Sequence, residues 1–85
     1  MDYVSKKVLV VGMARSGIAA AQLLRACGAD VTVNDSKSEE ELGSQLSPLE
    51  GLQLTKRFGC GAMELLDGMD CLVVSPGSPD TAPLS

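Results

Sequence analysis

Short apolar runs recur along the whole chain, separated by glycines and polar segments, and their spacing predicts alternating strands and helices. Residues 8–11 and 71–75 are rich in valine and other apolar residues, and residues 30–34 alternate valine with polar residues. Runs of this length are typical of strands that lie inside a parallel sheet. A less apolar stretch at 51–57 predicts another strand, nearer to an edge of the sheet.

The segments between these strands have the patterns of helices. Residues 18–27 form a broad apolar face at helical spacing, and Gly28 supplies a left-handed stop. Residues 38–46 begin with a serine cap followed by glutamates, and residues 62–66 predict a brief helix. Strands that alternate with helices predict an α/β fold, an open parallel sheet with helices on both faces.

Length and composition indicate one small domain, residues 1–85. Hydrophobic residues make up 45% of the chain, which is typical of a folded domain, but Tyr3 and Phe58 are its only aromatic residues. Valine, leucine, isoleucine and alanine must therefore supply the core. The proline-rich end adds no element of its own, so we expect a sheet truncated after about four strands, at the front of a longer protein.

Charge and cysteine content exclude several classes of function. The net charge is −4 and no basic stripe is present, which argues against nucleic-acid binding. No apolar run approaches the roughly 20 residues of a membrane span. Three spaced cysteines without histidine predict no metal site. We expect a cytoplasmic protein in which Cys27 and Cys71 are buried hydrophobic residues and Cys60 lies in a loop.

The stretch "VVGMARSG" predicts a strand that runs into an anion-binding turn. Gly12 permits a tight turn, and Gly17 permits close packing of the helix on the strand. The backbone N–H groups of Arg15 and Ser16 would point outward at the start of the helix, where the helix dipole favours an anion. The Ser16 hydroxyl adds one more donor. Ala14 replaces the middle glycine of the dinucleotide fingerprint G-x-G-x-x-G.

The identity of the ligand stays open on these patterns alone. Asp35 follows Gly12 by 23 residues, close to the spacing of the acidic residue that binds a ribose in NAD sites. An NAD-binding domain of an oxidoreductase is therefore the alternative, although the Ala14 methyl group makes the approach of a pyrophosphate harder. A ligand-sensing domain and a turn without any ligand are weaker alternatives. The loops after three strands, at 12–17, 34–37 and 75–79, favour a nucleotide or nucleotide-sugar site.

Three stretches resemble a known family: "KVLVVGMARSGIAAAQLL", "GADVTVNDSK" and "LLDGMDCLVVSPGSP". Together they are similar to the N-terminal domain of the Mur ligases, and within that family to the enzymes that add D-glutamate during bacterial peptidoglycan synthesis. The resemblance implies a Rossmann-like domain that binds the UDP part of UDP-N-acetylmuramoyl-L-alanine rather than NAD. It covers nearly the whole chain.

The resemblance also implies which residues contact UDP. They fall into three groups: Arg15 and Ser16 at the diphosphate, Asp35, Ser36 and Lys37 at uracil, and Ser75, Pro76 and Gly77 on the other side of the diphosphate. The family often has glycine at the place of Ala14 and arginine at the place of Lys37. A lysine keeps the charge but stacks less well on a ring than a guanidinium does.

The resemblance assigns the chemistry to parts that are not in this chain. ATP, magnesium and D-glutamate would bind later domains of the full-length ligase, which forms an acyl phosphate and then an amide bond. No P-loop G-x-x-x-x-G-K-[ST] occurs in the 85 residues. We therefore expect no cofactor and no catalytic residue in the chain, and no catalysis by it alone.

Overall fold

The computed structural model describes residues 3–74, in which four parallel strands form one sheet. The strands are β1 (Lys7–Val11), β2 (Asp30–Asp35), β3 (Thr55–Phe58) and β4 (Cys71–Val74). Their order across the sheet is β3-β2-β1-β4. This confirms the predicted α/β fold with an open parallel sheet, of which the described residues contribute four strands.

The segments between the strands contain helices at the predicted places. Helix α1 spans Arg15–Ala26, and helix α2 spans Glu39–Leu42. Two 3₁₀ helices follow in the chain, Gly43–Leu49 and Ala62–Leu65. No helix within residues 3–74 is long and apolar enough to cross a membrane.

The predicted continuous helix over 38–46 is wrong in its second half. Ser38 caps the helix as predicted and forms a capping box with Glu41, since each side chain accepts a hydrogen bond from the other's backbone N–H, at 3.2 and 3.0 Å. The α-helix then ends at Gly43, which adopts a positive φ of 52°. The chain continues as a 3₁₀ helix that contains Pro48, a residue without an N–H to donate.

The core lies between one face of the sheet and the segments that cover it. Valines of β1 and β2 pack there against α1 and the 3₁₀ helix Gly43–Leu49. Its buried members are Val8, Val10, Met13, Ile18, Ala21, Leu24, Ala29, Val31, Val33, Leu42, Leu46 and Leu49. Because side chains alternate along a strand, Leu9 points to the opposite face, where it is also completely buried.

The two edge strands differ from the two central ones. β3 begins four residues later than predicted and is mostly exposed, in agreement with its predicted place near an edge. β4 is the other edge, and its Leu72 and Val74 are 47% and 62% exposed. Burial on both faces is thus confirmed for β1 and β2 but wrong for β4. Cys27 is exposed rather than buried, because it follows the last residue of α1.

Candidate functional site

A groove of about 400 Å³ opens where β1 and β2 end. The turn between β1 and α1 forms one wall, and the end of β2 with the residues after it forms the other. Its lining residues are Gly12, Met13, Ala14, Asp35, Lys37, Leu42 and Gln45. Ligands of open parallel sheets bind outside the carboxyl ends of the strands, which is where this groove lies.

The turn after β1 has the shape that its glycine permits. Gly12 adopts a φ of +95°, which a residue with a side chain rarely tolerates, and its N–H donates to the Asn34 carbonyl at 2.8 Å. Ala14 is the N-cap of α1, and its carbonyl accepts from the Ile18 N–H at 2.9 Å. An alanine has no side-chain oxygen to satisfy the N–H groups of the first helical turn. The N–H groups of the first turn of α1 therefore need acceptors other than the side chain of the N-cap residue.

Asp35 connects the two walls of the groove. One carboxylate oxygen, Oδ2, accepts from the Met13 N–H at 2.9 Å, and the other, Oδ1, accepts from the Lys37 N–H at 3.0 Å. The Asp35 backbone carbonyl also accepts from the Gly59 N–H at 2.9 Å. A half-buried carboxylate with two backbone donors has a fixed orientation. Each of its oxygens has a second lone pair that a ligand can use.

Asn34 joins the end of β2 to the loop after β3. Its side chain is 2% exposed, and its Nδ2 donates to the carbonyls of Arg57 at 2.8 Å and Cys60 at 3.1 Å. The same nitrogen lies 3.7 Å from the Cys60 sulfur. Cys60 thus lies in the predicted loop and is half-buried. These bonds hold the end of β2 against the end of β3 and the loop that follows it.

Within residues 3–74, the structure brings the predicted site residues to one end of the sheet. Arg15 and Ser16 are the first two residues of α1 and are exposed, and Gly17 beside them is buried. Ser36 and Lys37 follow β2 directly and are exposed. The predicted third group, Ser75, Pro76 and Gly77, lies outside the residues that the structure describes.

Three groove residues were not predicted from the sequence: Met13, Leu42 and Gln45. The sequence gives no reason to predict Met13 as a site residue, because a methionine after a strand is typical of the core. Its side chain is indeed buried, with 1% exposed. Gln45 lies in the 3₁₀ helix Gly43–Leu49, and its side chain reaches the turn by donating to the Met13 carbonyl.

A second groove of about 310 Å³ lies between α1 and the 3₁₀ helix Gly43–Leu49. It shares Met13 and Gln45 with the first groove. Its other lining residues are Arg15, Ile18, Ala19, Gln22, Ser44 and Pro48. The two grooves thus meet at Met13 and Gln45.

Comparison with known proteins identifies a family that matches most of the chain. Residues 6–84 match the model of the Mur ligase MurD-like N-terminal domain. A UDP-N-acetylmuramoylalanine–D-glutamate ligase of Geotalea daltonii is 46% identical over 85 residues, which cover 99% of the chain and 19% of the relative. The ligase of the same name from Exiguobacterium sibiricum is 48% identical over 79 residues, covering 93% of the chain and 17% of that protein.

These matches do not support the oxidoreductase alternative, since the relatives are named as ligases. A third relative, the ligase of the same name from Koribacter versatilis, is 43% identical over 83 residues, which cover 98% of the chain and 18% of the relative. The chain therefore spans less than a fifth of the length of these curated relatives.

Proposed function

The chain belongs to the family of MurD-like N-terminal domains of the Mur ligases, and we propose that it binds the UDP part of UDP-N-acetylmuramoyl-L-alanine. The groove between the turn after β1 and the end of β2 carries this proposal. In this groove Ala14, the N-cap of α1, lies with Asp35 and Lys37, which supports an anion beside the carboxylate and the lysine. These groups complement the diphosphate and the base of one nucleotide.

The diphosphate lies at the start of α1 in this proposal. The backbone N–H groups of Arg15 and Ser16 and the Ser16 hydroxyl donate to its oxygens, and the Arg15 guanidinium adds a positive charge. The family resemblance also assigns Ser75, Pro76 and Gly77 to the binding of the diphosphate. The 12 residues of α1 give a dipole that favours the anion at this end.

The uracil ring lies at the end of β2. The Asp35 carboxylate accepts the uracil N3–H with one of its second lone pairs, while the bonds from Met13 and Lys37 hold it in place. Ser36 hydrogen-bonds the edge of the ring. The Lys37 side chain lies against the ring and neutralises part of the charge near Asp35.

The proposed full-length enzyme is the ATP-dependent ligase that adds D-glutamate to this substrate in the cytoplasm. ATP, magnesium and D-glutamate bind other domains, because the 85 residues contain no P-loop lysine. Binding UDP here fixes one end of the substrate. The reacting carboxylate, at the other end, is then delivered to those domains.

Calorimetric titration of the 85-residue chain with UDP is expected to show saturable but weak binding. The donors lie within the chain, whereas contacts to the sugar and the peptide come from elsewhere. NAD is the matched comparison and should bind less well than UDP. A folded chain without saturable UDP binding at millimolar concentration would contradict the proposal. ATP hydrolysis by the purified chain would contradict the assignment of ATP to other domains.

Replacing Ser16 with alanine is expected to lower the affinity for UDP modestly without changing the fold. A hydrogen bond to a charged group contributes about 1.5–3 kcal/mol, and a solvated site lies at or below the low end of that range. Ser47→Ala, an exposed serine in the 3₁₀ helix Gly43–Leu49, is the control and should leave the dissociation constant unchanged. Equal UDP affinity of Ser16→Ala and the unmutated chain would place the diphosphate elsewhere.

A further inference from the structure

The backbone of Met13, in the middle of the turn, is held by side chains from two other segments. Its N–H donates to Asp35 Oδ2 at 2.9 Å, and its carbonyl accepts from Gln45 Nε2 at 3.1 Å. Its side chain is anchored in the core. Both peptide groups that flank Met13 are thereby fixed.

The bond from Gln45 determines where the next N–H points. In a planar trans peptide the carbonyl and the N–H point in opposite directions. Because the Met13 carbonyl points to Gln45, the Ala14 N–H points away from Gln45. The N–H groups of Arg15 and Ser16 come next in the chain. A carbonyl that turned towards the ligand would instead repel a phosphate.

We propose that Gln45 is a positioning residue for the diphosphate, a role that rests on the proposed UDP binding. Its side-chain amide holds the Met13 carbonyl away from the anion, so that the turn presents donors and not an acceptor. This role matters more here than in a glycine-rich turn, since Ala14 limits the conformations that bring the backbone close to a phosphate. Gln45 itself does not contact the diphosphate.

The chain offers a matched control in Gln22. Its Nε2 also donates to a backbone carbonyl, that of Pro48, at 3.1 Å, and both glutamines are exposed. The Gln22 bond ties α1 to the 3₁₀ helix without touching the turn. Gln45→Met and Gln22→Met each remove the donor while keeping the charge and nearly the length of the side chain.

Affinities for UDP and for uridine, measured by NMR titration of both variants and the unmutated chain, test the proposal. Gln45→Met should lower the UDP affinity about three- to tenfold, the range expected for the loss of one neutral hydrogen bond. It should leave the uridine affinity unchanged, because uridine has no diphosphate. Gln22→Met should leave both affinities unchanged. The midpoints of thermal unfolding of the two variants should agree, which separates a positioning role from a general loss of stability.

Each other result overturns a specific statement. Unchanged UDP affinity in Gln45→Met would overturn the positioning role while the proposed UDP binding stands. An equal loss for uridine and UDP would show a direct contact of Gln45 with the nucleoside, again against the positioning role. A loss of UDP affinity in Gln22→Met equal to that in Gln45→Met would show that any hydrogen bond to the 3₁₀ helix has the same effect, which would overturn a specific role of Gln45. An unmutated chain that does not bind UDP would overturn the proposed function and the role of Gln45 with it.

Discussion

Asp35→Asn is expected to remove most of the preference of the domain for UDP over CDP. Uracil presents an N3–H donor between two carbonyls, and a carboxylate opposite N3 accepts a charge-assisted hydrogen bond. Cytosine has a lone pair at N3, which the carboxylate would repel. The loss of such a bond costs about 1.5–3 kcal/mol, so the unmutated chain should prefer UDP by about ten- to a hundredfold.

The geometry around Asp35 predicts a second effect of the same substitution. An asparagine has one acceptor oxygen, so its amide nitrogen must face the N–H of either Met13 or Lys37, which now both donate to the carboxylate. The turn then loses one of its fixed points. UDP and CDP should both bind less tightly to Asp35→Asn, while the difference between them shrinks.

Dissociation constants of both nucleotides for both proteins decide the role of Asp35. Asp70→Asn is the matched control, because Asp70 Oδ2 also accepts from a backbone N–H, that of Lys7 at 2.8 Å, where β1 begins. It should leave the ratio of the two constants unchanged. Equal binding of UDP and CDP by the unmutated chain would show that Asp35 only shapes the loops.

Leu9→Ala is expected to destabilise the fold strongly. Leu9 is 0% exposed in the central strand β1, and removing a side chain from such a site costs about 2–5 kcal/mol. Small domains have only about 5–15 kcal/mol of stability in total, so a large share would be lost. Urea or thermal unfolding of the 85-residue chain measures this loss.

Leu23→Ala is the control for that experiment. Leu23 is 65% exposed on the outer side of α1, and its truncation should change the free energy of unfolding by less than about 0.5 kcal/mol. A loss for Leu9→Ala as small as that for Leu23→Ala would mean that the second face of the sheet is not packed in solution.

The sheet and α1 could be predicted from the sequence because their signals are local. Two valine-containing runs, one ended by Gly12 and the other preceded by Gly28, define central strands, and the apolar face of residues 18–27 has a helical period. The observed α1 starts three residues earlier than that pattern, at Arg15. The helical conformation of Arg15, Ser16 and Gly17 follows from the turn before them, because these three residues do not form an apolar face.

The parts that could not be predicted depend on contacts between distant segments. The exposure of Leu72 and Val74 follows from the strand order, which places β4 at an edge. The bond from the Gln45 side chain to the Met13 carbonyl joins residues that are 32 positions apart in the chain. A glutamine in an exposed segment gives no signal of such a contact.

The support of Met13 by Asp35 and Gln45 also bears on protein design. The segment from Gly12 to Gly17, which contains the turn and the start of α1, is not a portable unit, since the backbone at Met13 depends on side chains 22 and 32 positions further along the chain. A designer who grafts only the turn onto another parallel sheet would transfer the glycines without the two contacts that orient the backbone between them. The smallest transferable unit is the turn together with the end of β2 and the 3₁₀ helix that supplies the amide.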